Sequence, residues 1–294
     1  MTTLHEFPSA SVFGELPVPD GVETVAVDLP VGRLTAYRVV PRGEVRGTVL
    51  VVPGYTGSKE DFRIAMPLFA EAGYEAVIVS RRGQADSAAP TTPTEYTLDE
   101  EARDIVRIAA LLADGRPVHL VGHSLGGVIG RAAAIASPES FASYTMLCSG
   151  PHGWANRKYL ERHLVAEQGN RALFDAVNPV TLGLDDAALT ALDPDLAFVR
   201  MRMERTSPLS VIAGGLLLED PSDTTDALRA TGLPVMVAHG EFDAAWPIPW
   251  QRDMAERLGA RYEIVAAAFH SPQIETPEAT VSLLADFWAS TRAS

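Results

Sequence analysis

What most constrains the fold of this chain is the alternation of short, apolar, β-branched runs with segments of helical periodicity. The run Gly47-Thr-Val-Leu-Val-Val-Pro53 has no polar position after Thr48, so it reads as a strand buried on both faces rather than one with a wet side. Residues 75–80, 117–122, 141–148, 234–239 and 261–267 repeat the pattern. Between the first two runs, Phe62, Met66, Phe69 and Ala70 recur at helical spacing until Gly73 ends the segment. Thr97-Leu-Asp-Glu100 forms a capping box that opens a helix to about residue 113. Further helices are expected at 124–136, near 248–258 and over 277–289. Two alternating segments, 22–29 and 34–40, precede the first run and read as a hairpin turning around 30–32. Strands alternating with helices predict an α/β protein with a doubly wound, mainly parallel sheet covered on both faces.

Residues 151–232 interrupt this rhythm. They offer no convincing strand and carry apolar residues at helical spacing, punctuated by Pro179, Pro194, Pro208 and Pro221. Because the strand pattern resumes at Pro234, the expectation is one core made of residues 1–150 and 233–294 with a helical insertion over 151–232. A length of 294 residues suits that arrangement, since single cores stop growing at roughly 250–300 residues. The balance of 24 basic against 38 acidic side chains, a net charge of −14, argues against nucleic acid or an anionic membrane surface as partner. The first twenty residues have no basic start followed by an apolar stretch, and no apolar run reaches 18 residues. With one cysteine, Cys148, no intrachain disulfide can form, and a cytoplasmic protein is expected.

The chemistry-bearing motif is Gly122-His-Ser-Leu-Gly126, placed where a strand should end and a helix begin. A turn tight enough to lift a serine above the sheet edge leaves no room for side chains two positions to either side, which accounts for both glycines. The motif in this setting resembles the α/β-hydrolase family, and the resemblance runs over roughly residues 22–290. In that family the order is nucleophile, acid, histidine, each on a loop after a strand. Here that implies Ser124, then Asp243 in His239-Gly-Glu-Phe-Asp243, then His270 in Ala268-Phe-His-Ser-Pro272. Glu241 competes with Asp243, and His239 and His152 compete with His270. His239 reads better as a hydrogen-bonded structural residue, and His123 as a residue packed against the sheet. The resemblance also implies that the insertion is a cap over the site.

The implied chemistry is acyl transfer. Ser124 would attack a carbonyl while His270 takes its proton, and Asp243 would fix the imidazole tautomer. The oxyanion would be held by the backbone N–H groups of Leu125 and, by resemblance, of Tyr55 in the loop Pro53-Gly-Tyr-Thr-Gly57. Trp154 and Trp246 are candidate substrate-pocket residues. The segment Arg81-Arg-Gly-Gln-Ala-Asp-Ser87 is similar to another family loop and is assigned a stabilising role near the elbow. Cys148 reads as a small buried apolar residue. No metal-ligand spacing and no phosphate-cradling motif occurs, so no metal or cofactor is expected. The expected substrate is a small-molecule carboxylic ester. The alternatives are a lactone or a carbon–carbon bond cleaved on the same triad, or a relative that binds a small molecule without turning it over.

Overall fold

The computed structural model describes residues 3–6, 16–113 and 118–291. Pro117, and residues 1–2 and 7–15 of the N-terminal stretch, lie outside the described residues. Among the described residues nine strands form one sheet: β1 (Thr3–Glu6), β2 (Val22–Leu29), β3 (Gly32–Val39), β4 (Gly47–Val52), β5 (Tyr74–Val79), β6 (Val118–His123), β7 (Phe141–Leu147), β8 (Val235–Gly240) and β9 (Arg261–Val265). Their spatial order is β1-β2-β3-β5-β4-β6-β7-β8-β9. From β5 to β9 every neighbouring pair is parallel, whereas β1, β2 and β3 are joined antiparallel at one edge. The chain therefore winds outward from β4 in both directions, and a crevice opens at the carboxyl ends of the strands beside it.

The unbroken apolar runs are explained by burial on two sides. In β4, Leu50 and Val52 face one cluster with Val77, Val79 and Leu120, while Val49 and Val51 face another with Ala76, Ile78 and Val121. Alternate residues point to opposite faces of a strand, and here both faces are covered. Helices Leu98–Leu112, Leu125–Ala136 and Ile248–Leu258 cover the first, and Met66–Glu71 and Pro277–Thr291 the second. Each large side chain so buried contributes about 1.5–3 kcal/mol.

Three local features depart from the sequence reading. The helix expected over residues 60–73 is two pieces, a 3-10 turn at Lys59–Phe62 and a short helix at Met66–Glu71. Pro67 near the start of the second piece has no N–H for a continuing ladder, so the helix restarts there, while Phe62, Met66 and Phe69 all stay buried. The capping box at Thr97 is half made. Thr97 Oγ1 accepts from the Glu100 N–H at 3.3 Å, but the Glu100 carboxylate turns to Arg103 and Arg82. Strand β1 has no strong pattern and gains its place by pairing with β2.

Between β7 and β8 the chain forms six α-helices: Tyr159–Gln168, Asn170–Val177, Asp186–Leu192, Pro194–Arg205, Pro208–Glu219 and Thr225–Ala230. The described residues there contain no strand. Val165, Leu173, Phe174, Leu189, Met203 and Val211 make a small core of their own. Pro194 and Pro208 open helices rather than break them, and Asp193 caps the first of these by accepting from the Leu196 N–H at 2.9 Å. Among the described residues no helix is long and apolar enough to cross a membrane.

On the second face Trp288 is fully buried, with ring centroids 4.8 Å from Tyr74 and 5.5 Å from His119. Its indole nitrogen makes no hydrogen bond, so truncation removes packing alone. Trp288→Ala should cost about 3–5 kcal/mol. Urea denaturation reads this as a lower midpoint at an unchanged slope, and a loss below about 1 kcal/mol would contradict the packing described.

Candidate active site

Strand β6 hands over to helix Leu125–Ala136 at Ser124, whose backbone sits at φ 55° and ψ −119°. For a residue with a Cβ this is a strained conformation, and the surroundings hold it in place. The Ser124 N–H donates to Leu147 O at 2.9 Å, and its carbonyl accepts from Gly127 N at 2.9 Å. The flanking glycines are required by space. A Cβ on Gly126 would lie 2.1 Å from Val52 O, and one on Gly122 would lie 2.3 Å from Gly126 O.

Asp243 follows β8 and His270 follows β9, so both loops reach the same edge as Ser124. His270 Nε2 lies 3.0 Å from Ser124 Oγ, and His270 Nδ1 lies 2.9 Å from Asp243 Oδ1. Burial raises the Asp243 carboxyl pKa, but bonds from His270, the Ala245 N–H and Gln251 Nε2 more than offset it and hold the group below its ordinary value. An ionised Asp243 can only accept, so Nδ1 carries the proton. Nε2 is then left with its lone pair toward the serine hydroxyl. That arrangement can deprotonate the hydroxyl as it attacks an electrophile.

The rivals for these positions have other partners. Glu241 accepts from the Ala267 N–H at 2.9 Å and ties the two loops together. His239 is fully buried between Gly240 O at 2.7 Å and the Tyr262 hydroxyl at 2.6 Å. His152 lines a separate cavity of about 300 Å³ with Arg131 and packs on Trp250.

Several supporting residues carry no signal in the sequence. His123 Nε2 donates to the His270 carbonyl at 2.7 Å, so it braces the histidine loop from below as well as packing against Phe62. Glu275 accepts from the N–H groups of Phe269 and Ser271, on either side of His270. Gln251, one helix beyond the acid loop, reaches back to Asp243 Oδ2.

The loop after β4 crosses above the elbow, where a Cβ on Gly54 would lie 3.2 Å from Ser124 Cβ. The segment 81–87 has a definite task here. Gln84 Nε2 donates to Gly54 O at 2.8 Å, and Arg81, held by Glu101 at 2.7 Å, donates to the same oxygen at 3.4 Å. In a trans peptide the C=O and the following N–H point in opposite directions, so anchoring Gly54 O turns the Tyr55 N–H away from Gln84 and Arg81. The Leu125 N–H, at the first position of its helix, has no intrahelical acceptor.

A cavity of about 560 Å³ opens over Ser124 and His270, with Tyr55, Arg157, Arg202 and Ala245 also in its wall. Trp154 and Trp246 do not line it. Trp246 is fully buried and donates its indole N–H to His152 O at 2.9 Å. Both tryptophans lie against Arg157, whose guanidinium carbon is 4.2 Å from the Trp154 ring and 3.7 Å from that of Trp246. His123, Cys148 and His270 bring ligand atoms within 4.8 Å of one another. Both His270 nitrogens and His123 Nε2 are already bonded, and burial holds the Cys148 thiol well above its usual range, so it stays protonated. That set is poorly disposed to hold a metal.

Burial, reinforced by the nearby His270, pushes the His123 pKa from 6.5 down to about 4, against the bond to the His270 carbonyl that raises it. Between those values the unfolded chain binds a proton that the folded one does not. This contribution is therefore complete above pH 6.5 and lost as the pH falls toward 4, roughly 3 kcal/mol in all. In His123→Asn the slope of unfolding free energy against pH over that window should flatten by up to one proton, as read from urea curves between pH 7 and 4. Equal slopes in the two proteins would refute the assignment.

A family profile described as the alpha/beta hydrolase fold matches residues 47–277. A putative carbamate hydrolase of Variovorax paradoxus is 29% identical over 209 residues, 69% of this chain and 75% of that protein. A probable esterase of Oryza sativa subsp. japonica is 23% identical over 264 residues, 84% of this chain and 93% of that protein. Among solved structures, the enol-lactonase from Burkholderia xenovorans LB400 matches with a TM-score of 0.73 at 20% identity, covering 90% of this chain and 99% of that one. The last comparison speaks for the fold alone. Because the profile runs from β4 to the first residue of the last helix, this chain belongs to the α/β-hydrolase fold family.

Proposed function

We propose that this protein hydrolyses carboxylic esters of small molecules through an acyl-enzyme on Ser124. The observation that carries the reading is the unbroken relay of 3.0 and 2.9 Å from the Ser124 hydroxyl through His270 to the buried Asp243. In this reading Ser124 Oγ attacks the ester carbonyl while His270 Nε2 takes its proton. Asp243 stabilises the imidazolium that forms. The N–H groups of Tyr55 and Leu125 hold the developing oxyanion, each worth about 2.7–4 kcal/mol of barrier. The tetrahedral adduct then collapses, the alcohol leaves with the proton from His270, and a water activated by the same nitrogen releases the acid.

Residues 151–232 serve in this reading as a cap on the core of residues 1–150 and 233–294. Support comes from Arg157, Lys158, Val199, Arg202 and Leu218, which reach from that segment into the wall of the cavity over Ser124. The relatives named as a probable esterase and a putative carbamate hydrolase are consistent with acyl chemistry. We place the protein in the cytoplasm, in line with its single, buried cysteine.

A short-chain aryl ester such as p-nitrophenyl butyrate should be turned over, and Ser124→Ala should lower kcat by roughly 10³-fold or more. Asp243→Asn should cost about 10⁴-fold by leaving the proton on the wrong imidazole nitrogen. A fluorophosphonate should label the wild-type protein at Ser124 and leave Ser124→Ala unlabelled. No turnover together with no label on the wild type would overturn the proposal.

A further inference from the structure

Three basic side chains other than histidine line the cavity over Ser124, and two of them are neutralised. Arg202 pairs with Asp61, and Lys158 pairs with Glu161 at 2.7 Å. Arg157 takes part in no ion pair among the described residues. Its Nη2 donates to Ala245 O, and its Nη1 is buried with no hydrogen-bond partner. The planar group lies within cation–π distance of both the Trp154 and the Trp246 rings, which favours one orientation of the guanidinium. Burial lowers its pKa to about 10, partly offset by the nearby Asp243, so it remains a cation at neutral pH.

A partly buried cation lacking a counter-ion is costly unless something supplies one. The chain as a whole carries a charge of −14 and repels anions at long range, so a site that accepts one needs its own local cation. Arg157 is placed to be that cation. It is anchored to Ala245, whose N–H bonds Asp243, and it shares the cavity wall with Ser124 and His270. We propose that Arg157 is a specificity-determining residue that selects ester substrates bearing a carboxylate, such as monoesters of dicarboxylic acids, by pairing with that carboxylate while Ser124 attacks the ester. This rests on the acyl-transfer reading above. A fork of N–H donors suits a carboxylate, and the bond is charge-assisted on both sides.

The test compares monomethyl glutarate, which carries one free carboxylate, with neutral dimethyl glutarate. The wild type should favour the monoester in kcat/KM. In Arg157→Gln the monoester-to-diester ratio should fall by roughly ten- to a hundredfold, mainly through KM. Arg157→Lys, which keeps the charge but loses the fork, should recover part of it. A ratio unchanged in Arg157→Gln, or a wild type that favours the diester, would overturn the proposal and assign Arg157 to holding the acid loop alone. Calorimetry with glutarate reads the same selection without turnover. Binding that is lost in Arg157→Gln supports it, and absent or unaltered binding overturns it. Fluorophosphonate labelling of Ser124 reports separately on the hydrolase reading, so failure of one is distinguishable from failure of the other.

Discussion

At the carboxyl edge of the sheet Gly126 packs so tightly on Val52 that a Cβ would stand 2.1 Å from the carbonyl oxygen. Only because both Gly122 and Gly126 lack side chains can the helix begin directly against β4 and force Ser124 into a left-handed turn. That turn lifts the serine off the sheet and leaves the first N–H groups of the helix open. The other parts of the site are arranged around this point. The loop after β4 lies over it, and the loops after β8 and β9 meet it from the side.

The polar groups at this edge are held by second partners more than by their own chain neighbours. Asp243 is buried, which by itself would favour the neutral acid, and it is kept ionised by donors from three separate positions. The His270 loop is fastened at its carbonyl by His123 and at its flanking N–H groups by Glu275. Gly54 is fastened by Gln84 and by Arg81, itself neutralised by Glu101. None of these braces engages Ser124 Oγ or His270 Nε2. This is how a site holds its geometry without using up its reactive groups.

Much of this was legible in the sequence. The apolar runs gave the parallel strands because a strand covered on both faces tolerates no polar alternation. Gly122 and Gly126 marked the elbow through a steric need, and the resemblance to the α/β-hydrolases pointed to Asp243 and His270, each following a strand in that family's order. Other features were not legible, for identifiable reasons. The break at Pro67 was hidden because Phe62, Met66 and Phe69 keep helical spacing across it. Trp154 and Trp246 were candidates for the pocket wall, yet burial against Gly150 and the bond to His152 take Trp246 out of the cavity.

Local chemistry thus determined which segments become strands and where the chain must turn sharply, whereas Asp243 and His270 were singled out among their rivals only by resemblance to the α/β-hydrolases. The strands and turns depend on residues within a few positions of one another, through steric exclusion and hydrophobic periodicity. Tertiary structure alone decided which groups meet: His123 with the His270 carbonyl, Gln251 with Asp243, Arg157 with Ala245 across 88 residues. Such contacts arise from the superposition of separate loops at one sheet edge. Their strength comes from burial and charge at the meeting place, which no local pattern in the chain encodes.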